Sequence, residues 1–179
     1  MAGLDQAPPP ARITLVLGGA RSGKSAHAEA LLEDCAGARL YIATAEPRDA
    51  EMEARIAAHR ARRGPQWRTV EAPLALAETL EAESRPGAAL LVDCLTLWLS
   101  NIMEAGRDIA VETQRLVVCL GRLEGRTVLV SNEVGLGIVP ENAAARAFRD
   151  HAGRLNQAVA QAAGRVVFVA AGLPLTLKP

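Results

Sequence analysis

The 179-residue chain has few aromatic residues, only two lysines and no excess of charge of either sign. Phe, Trp and Tyr make up 3% of the residues, so the core must consist mainly of aliphatic side chains and alanine. Such a core suits helices packed on a buried parallel sheet. The formal net charge of zero argues against non-specific nucleic-acid binding. No apolar run approaches the ~18 residues needed to span a bilayer.

The chain contains only three cysteines, and its first residues do not resemble a targeting signal. Cys35, Cys94 and Cys119 show no C-x-x-C spacing, which argues against a zinc site and favours reduced thiols in a cytoplasmic protein. Residues 1–11 contain three consecutive prolines and no apolar segment, so they predict a disordered tail rather than a signal peptide. The remainder, residues 12–179, has the length of a single domain.

Five short apolar runs predict strands that are buried on both faces of a sheet. They are Ile13–Gly18, Arg39–Thr44, Ala89–Cys94, Thr127–Ser131 and Val166–Ala171. Helical patterns lie between them, at 49–63, 74–83, 97–103, 111–123 and 143–163. This alternation predicts an α/β fold with a doubly wound, mostly parallel sheet. Trp67–Glu71 is predicted as a short extra strand, and Leu173–Leu177 as a strand that closes one edge.

The segment Gly18–Ser25 reads GGARSGKS and fits the P-loop pattern G-x-x-x-x-G-K-[ST] directly after the first predicted strand. In such a loop the backbone N–H groups face phosphates, Lys24 reaches the β- and γ-phosphates, and the Ser25 hydroxyl contacts Mg²⁺. A helix predicted over 22–32 directs its positive end at the same anion, with His27 on its exposed face. Residues 12–179 are therefore predicted to form one P-loop nucleotide-binding domain.

Two carboxylates follow predicted strands, at the edge where such sheets bind ligands. Asp93 ends the apolar run Leu90–Asp93 and resembles a Walker-B aspartate, which holds Mg²⁺ opposite Ser25; its alternative role is to cap the next helix. Glu133 precedes Gly135 and Gly137, and it could orient a substrate hydroxyl or act as its base. An ion pair with an arginine is an equally simple role for Glu133.

A histidine lies within a basic stretch. His59 and four arginines occupy residues 55–63, and guanidinium groups suit phosphate oxygens. Cationic neighbours also keep an imidazole neutral and nucleophilic near pH 7. From these residues alone, the favoured interpretation is a basic helix end that complements the helix dipole.

In this order, the motifs resemble one family, the bifunctional adenosylcobinamide kinase / adenosylcobinamide-phosphate guanylyltransferases of cobalamin biosynthesis. The resemblance is carried by GGARSGKS (18–25), YIATA (41–45), RI-x-x-H (55–59), WRTVEAP (67–73), LLVDCLTLWLSN (90–101), SNEVGLGIVPEN (131–142) and R-x-FRD-x-AGRLNQ (146–157). Many families share the P-loop, whereas the last two stretches are far more specific. The resemblance runs from about Ile13 to Lys178.

The resemblance implies a RecA-like P-loop fold with an antiparallel edge strand, and an enzyme with two steps. ATP or GTP, with Mg²⁺, phosphorylates the aminopropanol hydroxyl of adenosylcobinamide. GMP from GTP then passes through a covalent GMP–histidine to give adenosylcobinamide-GDP, and the family's nucleophile corresponds to His59. The implied nucleotide contacts are Gly18, Gly19, Ala20, Arg21, Ser22, Gly23, Lys24, Ser25, Ala43, Thr44, Ala45, Arg60, Ala61, Arg62, Arg63, Glu71 and Asp93.

The resemblance also implies a cytoplasmic homo-oligomer, with a trimer expected, and neither a nucleic-acid partner nor stable membrane insertion. Adenosylcobinamide and its phosphate are expected near Asn132, Glu133 and Gly135–Val139. Two other functions stay open at this point. One is a monofunctional small-molecule P-loop kinase, in which His59 is structural. The other is a RecA-like NTPase module.

Overall fold

The computed structural model describes residues 11–47 and 63–179, and residues 50, 53, 54, 57 and 61 between them. The strands are β1 (Ile13–Gly18), β2 (Arg39–Ala43), β3 (Trp67–Glu71), β4 (Ala89–Asp93), β5 (Arg126–Asn132), β6 (Arg165–Ala170) and β7 (Leu173–Lys178). The helices are α1 (Lys24–Ala30), α2 (Leu76–Glu83), α3 (Leu95–Glu104), α4 (Ile109–Arg122) and α5 (Ala143–Ala162). The predicted tail lies outside the described residues, except for Ala11.

The seven strands of the described residues form one sheet in the order β3-β2-β4-β5-β1-β6-β7. Neighbouring strands are parallel except β6 and β7, which are antiparallel. Ala171 and Gly172, with φ of 49° and 80°, form the two-residue connection between these strands. Such a short connection can only reverse the chain, because a parallel crossover needs a dozen residues or more. The mostly parallel sheet, the extra strand and the antiparallel edge are confirmed.

Both faces of the sheet are covered, which explains the continuous apolar runs. Within β4, Leu90 and Val92 belong to one buried cluster, which also contains residues of α2, α3, α4 and α5. Ala89 and Leu91 belong to a second cluster, on the other face, with Ala28 of α1. Side chains alternate across a strand, so a strand buried on both faces must be apolar at nearly every position.

Helix ends differ from prediction by a few residues where capping side chains decide the start. Asp108 accepts hydrogen bonds from the N–H groups of Ala110 and Val111, so α4 begins at Ile109 rather than at 111. Asn142 caps α5 in the same way, and α5 begins at Ala143 as predicted. Helix α1 is shorter than the predicted span 22–32, and α3 begins at Leu95 instead of 97.

The predicted helix over 49–63 is described only in part. The residues at 50, 53, 54, 57, 61 and 63 have helical backbone geometry, whereas its predicted cap, Asp49, lies outside the described residues. In the part of the chain that the structure describes, no helix is both long and apolar enough to cross a membrane.

Candidate nucleotide-binding site

The backbone after β1 has the shape that a phosphate-binding loop requires. Arg21 and Gly23 adopt left-handed conformations, with φ of 56° and 94°, and left-handed turns before a helix create concavities lined by N–H groups. At Gly18, an added Cβ would lie 2.5 Å from both Ser22 Oγ and the Val169 carbonyl oxygen. Only glycine fits at this crowded strand end, as the motif predicts.

Lys24 lies across the loop. Its buried ammonium group donates a hydrogen bond to the Gly19 carbonyl oxygen at 3.1 Å. The turn after β6 supports the loop, since the Gly172 N–H donates to the Ser22 carbonyl oxygen at 2.8 Å. Ser22 Oγ is buried and has no hydrogen-bond partner among the described residues. The loop is therefore held in place from two sides, with a buried cation at its centre.

The predicted site residues on β1, β2, β3 and β4 all lie at the carboxyl edge of the sheet. Ala43 is in register with Glu71 on one side and with Asp93 on the other. Gly18 is in register with Asn132 on β5, the strand that separates β1 from β4. Neighbouring strands are ~4.8 Å apart, so the loop and Asp93 begin roughly 10 Å from each other. A nucleotide phosphate chain spans such a gap.

Asp93 is bound by a buried tyrosine. The Tyr41 hydroxyl donates to Asp93 Oδ2 at 2.9 Å. Burial, and then the negative charge of Asp93, raise the pKa of Tyr41 far above its ordinary value, so the phenol remains a donor. Burial and Asp93 likewise raise the pKa of Cys94 to about 11. Cys94 takes the N-cap position of α3, directly after Asp93 at the end of β4.

Arg63 lies on the other side of Tyr41. Its Cζ is 3.2 Å from the centroid of the tyrosine ring, and the residue is only 5% exposed. Arg63 Nη1 is buried and has no hydrogen-bond partner among the described residues. A buried, unpaired guanidinium N–H is costly, and guanidinium groups bind phosphate and carboxylate oxygens readily. Arg63 is therefore suited to receive an anionic ligand.

The oxygen groups at this edge fit a magnesium ion. Mg²⁺ usually binds one or two protein oxygens and completes its shell with phosphate oxygens and water. Ser25 and Asp93 provide a hydroxyl and a carboxylate of this kind. Among the described residues no group of three or more His, Cys, Asp or Glu side chains could hold a metal by itself.

Thr44 has a structural role that its position in the motif does not reveal. Its Oγ1 donates to the Cys94 carbonyl oxygen and accepts from the Cys94 N–H, both at 2.8 Å. Asn101 on α3 donates to the Thr44 carbonyl oxygen at 2.8 Å. Thr44 is completely buried, so its side chain holds β2 against the end of β4. A direct side-chain contact of Thr44 with a nucleotide does not fit this arrangement.

A second buried network holds the end of β5. Thr96 Oγ1 accepts from the Asn132 N–H at 2.7 Å. Ser131 Oγ donates to Asn156 Oδ1 at 2.7 Å, and Asn156 Nδ2 donates to the Asn132 carbonyl oxygen at 3.3 Å. Sequence reasoning assigned no role to Thr96, Ser131, Asn156 or Asn101. Thr96, Asn101 and Ser131 could have been recognised as polar residues within largely apolar elements, whereas Asn156 lies in a helix of mixed composition.

Glu133 is tied to the P-loop through its backbone. Its N–H donates to the Gly18 carbonyl oxygen at 3.2 Å, and its Oε1 accepts from the Gly135 N–H at 2.7 Å. Glu133 makes no ion pair with any arginine that the structure describes, so that alternative finds no support. Its predicted contact with substrate stays a prediction.

The structure describes only part of the predicted basic segment around His59. His59, Arg60 and Arg62 lie outside the described residues, and Ala61 is helical and exposed. His27, predicted on an exposed face, is only partly exposed, because the short helix α1 packs on the sheet and buries its Nε2, which has no partner among the described residues. Burial, and then the charge of Arg165, lower the pKa of His27.

Two solved structures are similar to this chain at low sequence identity. The P4 protein of bacteriophage phi6, in complex with ADP, matches 92% of this chain at 17% identity with a TM-score of 0.48. This chain spans about half of that protein, 52% of its length. The flagellar accessory protein FlaH of Methanocaldococcus jannaschii matches 94% of this chain and 79% of its own, at 10% identity with a TM-score of 0.49.

Comparison of sequences gives a closer match. The family described as cobinamide kinase / cobinamide phosphate guanyltransferase matches residues 14–177. The bifunctional adenosylcobalamin biosynthesis protein CobP of Pseudomonas aeruginosa is 54% identical over 166 residues, 92% of this chain and 96% of that protein. CobU of Escherichia coli, of the same description, is 44% identical over 92% of this chain and 98% of its own length. The chain therefore belongs to the cobinamide kinase / cobinamide phosphate guanyltransferase family, a family of bifunctional enzymes.

Proposed function

We propose that this enzyme phosphorylates adenosylcobinamide with ATP or GTP and then transfers GMP from GTP to the product through a covalent GMP on His59. Family membership supports the two activities. The observation that carries the proposal is the loop Gly18–Ser25, which is already curled for a phosphate chain, with the Lys24 ammonium across it. Asp93 lies at the same edge of the sheet, one strand beyond β5.

In the first step, the aminopropanol hydroxyl oxygen of adenosylcobinamide forms a bond with the γ-phosphorus. The bond between that phosphorus and the β,γ-bridging oxygen breaks, and ADP or GDP leaves. Backbone N–H groups of the loop and Lys24 stabilise the charge on the transferring phosphoryl group. The hydroxyl proton needs an acceptor, and Glu133 is our candidate, because its backbone is bonded to Gly18 at the start of the loop.

We propose that Ser25 and Asp93 hold Mg²⁺ in this step. When bound, the ion would neutralise the charge that develops on the nucleotide phosphates. The Tyr41 hydroxyl fixes one oxygen of the Asp93 carboxylate, and such hydrogen bonds orient metal-binding carboxylates. Tyr41 is therefore a positioning residue.

In the second step, a ring nitrogen of His59 attacks the α-phosphorus of GTP. A nitrogen–phosphorus bond forms, the bond to the α,β-bridging oxygen breaks, and pyrophosphate leaves. A phosphate oxygen of adenosylcobinamide phosphate then attacks the same phosphorus, and the nitrogen–phosphorus bond breaks to restore His59. The covalent intermediate divides one difficult transfer into two easier ones. Arg60, Arg62 and Arg63 would balance the charge of the departing pyrophosphate.

The contact between Arg63 and Tyr41 supports the placement of His59 at this edge. Arg63 follows His59 by four residues, so the two share one face of the predicted helix. The Arg63 guanidinium lies over Tyr41, and Tyr41 in turn binds Asp93. The end of the histidine-bearing segment is thus attached to the strand end that is proposed to hold the metal ion.

The remaining nucleotide contacts are proposed for Ala43, Ala45 and Glu71, which lie at the same edge.

We further propose that the enzyme is a homotrimer in the cytoplasm, where ATP and GTP are available and the three free cysteines stay reduced. One domain over residues 12–179 would then be the unit of assembly.

The two activities can be separated with a single substitution. Purified wild type, His59→Asn and His151→Asn are incubated with adenosylcobinamide, GTP and Mg²⁺, and the corrinoid products are followed by chromatography and mass. Wild type and His151→Asn should form adenosylcobinamide-GDP. His59→Asn should accumulate adenosylcobinamide phosphate, because it lacks only the nucleophile of the second step.

His151 lies on α5 and serves as the matched histidine control. If folded His59→Asn still forms adenosylcobinamide-GDP, His59 is not the nucleophile. If wild type stops at adenosylcobinamide phosphate, the chain is a simple kinase.

A further inference from the structure

The loop between β5 and α5 exposes three large aliphatic side chains to solvent. Leu136 is 81% exposed, Ile138 is 97% exposed and Val139 is 59% exposed. They alternate with Gly135 and Gly137, and no charged residue lies between Glu133 and Glu141. Single exposed aliphatic side chains are common, but a contiguous apolar patch usually marks a binding surface. We call Leu136, Ile138 and Val139 the apolar loop.

Both ends of the apolar loop are fixed while its middle is unpacked. On one side, the Glu133 N–H donates to the Gly18 carbonyl oxygen and Glu133 Oε1 accepts from the Gly135 N–H. On the other side, Arg146 Nη1 donates to the Pro140 carbonyl oxygen at 2.9 Å. The apolar side chains are therefore presented at a defined place beside the P-loop.

Resting on the proposed function, we propose that Leu136, Ile138 and Val139 form the platform on which the corrin macrocycle of adenosylcobinamide docks. The reacting hydroxyl must come within about 3–3.5 Å of the γ-phosphorus. The aminopropanol arm that carries this hydroxyl is short compared with the macrocycle. The macrocycle must therefore lie next to the P-loop, on the side where the acceptor approaches.

The chemistry of the loop suits this occupant. A corrin macrocycle has a broad, mostly aliphatic surface with amide groups on its periphery. Aliphatic side chains bury such a surface without demanding fixed hydrogen bonds, and binding sites for small molecules are typically apolar with few polar groups. A Cβ added at Gly137 would meet no described atom within 4 Å, so this position leaves room for a wide ligand beside the aliphatic side chains.

A second copy of this chain is the rival occupant, and its position argues against it. A subunit that covered the apolar loop would block the approach of the acceptor to Gly18–Ser25. The edge strand β7 offers a separate apolar surface, since Leu173, Leu175 and Leu177 are all exposed. An open strand edge is the more usual site for contact between chains.

The test compares Leu136→Ser, Ile138→Ser and their double variant with Val111→Ser on α4, which also replaces an exposed aliphatic side chain but lies away from the apolar loop and from β7. Four quantities are measured: the KM for adenosylcobinamide in the kinase step, the GTP affinity, the GMP adduct formed with GTP alone, and the mass in solution. We expect the KM to rise about tenfold for each single loop variant. The double variant should raise this KM about 100-fold and leave the other three quantities unchanged, and Val111→Ser should leave all four quantities unchanged.

An unchanged KM in the double variant overturns the proposal. A reduced mass of the loop variants also overturns it and assigns the apolar loop to a contact between subunits. Failure of the proposed function is seen separately, because wild type would then not phosphorylate adenosylcobinamide at all.

Discussion

The two ends of the sheet differ in how their polar groups are used. The carboxyl ends carry Gly18, Glu71, Asp93 and Asn132, whereas arginines stand at the starts of β2, β5 and β6. At the amino end, a groove of about 810 Å³ is lined by further arginines, among them Arg12, Arg68, Arg85 and Arg126. By charge alone, this groove would be the place to expect a phosphate ligand.

The arginines of the groove already have partners within the protein. Arg68 pairs with Glu83, and Arg126 with Asp34 at 3.4 Å. Arg85 donates to the Ser84 carbonyl oxygen and Arg12 to that of Gly121. At the carboxyl end, by contrast, Ser22 Oγ and Arg63 Nη1 are buried without a partner among the described residues. A third such atom, His27 Nε2, lies on α1. The carboxyl end therefore differs from the groove in having buried polar groups that a ligand can still satisfy.

The largest expected effect separates the two lysines, because Lys24 lies at the carboxyl end of the sheet and Lys178 at the amino end. Lys24→Ala should lower the rate of acceptor phosphorylation by about 10²–10³-fold, since it removes one donor to the transferring group. Lys178 binds the Ala160 and Gln161 carbonyl oxygens at the end of α5. Lys178→Ala should lose about 1 kcal/mol of stability and keep its activity. Comparable activity losses in both variants would contradict the assignment.

Buried amides at the carboxyl end should matter more for stability than surface ion pairs at the amino end. Asn101 donates to the carbonyl oxygens of Thr44 and Pro73. Asn101→Ala leaves both carbonyl oxygens without this donor, so it should lower the free energy of unfolding by about 1–3 kcal/mol. Arg68→Ala removes an exposed ion pair with Glu83, so it should cost about 0–1 kcal/mol. Urea unfolding measures both, and equal losses would contradict the difference.

Tyr41→Phe tests whether the tyrosine hydroxyl at the carboxyl end orients Asp93 for Mg²⁺. The variant keeps the ring beneath Arg63 and removes the hydroxyl that binds Asp93. The Mg²⁺ concentration for half-maximal kinase activity should rise about tenfold, as for other groups that orient a metal ligand. GTP binding measured in EDTA, and the unfolding temperature, should stay close to wild type. A uniform fall in activity with an unchanged Mg²⁺ midpoint would assign Tyr41 a purely structural role.

The smallest expected effect concerns His27 on α1. Its pKa is lowered by burial, so the folded state favours the neutral ring. Above pH 6.5 the ring is neutral in both states, and below it the unfolded chain binds the proton more readily. Stability should therefore fall as the pH drops below about 6.5, and His27→Gln should show a weaker decline. Urea midpoints between pH 5 and pH 8 test this, and parallel curves would refute it.

Much of the fold follows from the sequence because strand periodicity and the P-loop are local patterns. The continuous apolar runs at Ile13–Gly18 and Ala89–Cys94 predict buried parallel strands, and the structure confirms both strands, with β4 ending one residue earlier, at Asp93. Gly18 and Gly23 are also recognisable, because their conformations and close contacts allow little else. Helix starts were less accurate, since a cap such as Asp108 acts through only two hydrogen bonds.

The rest of the site depends on contacts between residues far apart in the chain. Thr44 after β2 meets Asn101 of α3, and Ser131 of β5 meets Asn156 of α5, only once the chain has folded. No spacing rule predicts that Tyr41 will lie between Asp93 and Arg63. The exposure of His27 was also mispredicted in part. The helical pattern placed it on an exposed face, whereas the packing of α1 on the sheet buries its Nε2 atom.

The most direct measurement is incubation of the protein with Mg²⁺ and GTP labelled at the α-phosphate, followed by denaturing electrophoresis. We predict an acid-labile, base-stable label on wild type, none on His59→Asn, and none when the label is at the γ-phosphate. No label on folded protein that binds GTP, or equal label on His59→Asn, would contradict guanylyl transfer through His59.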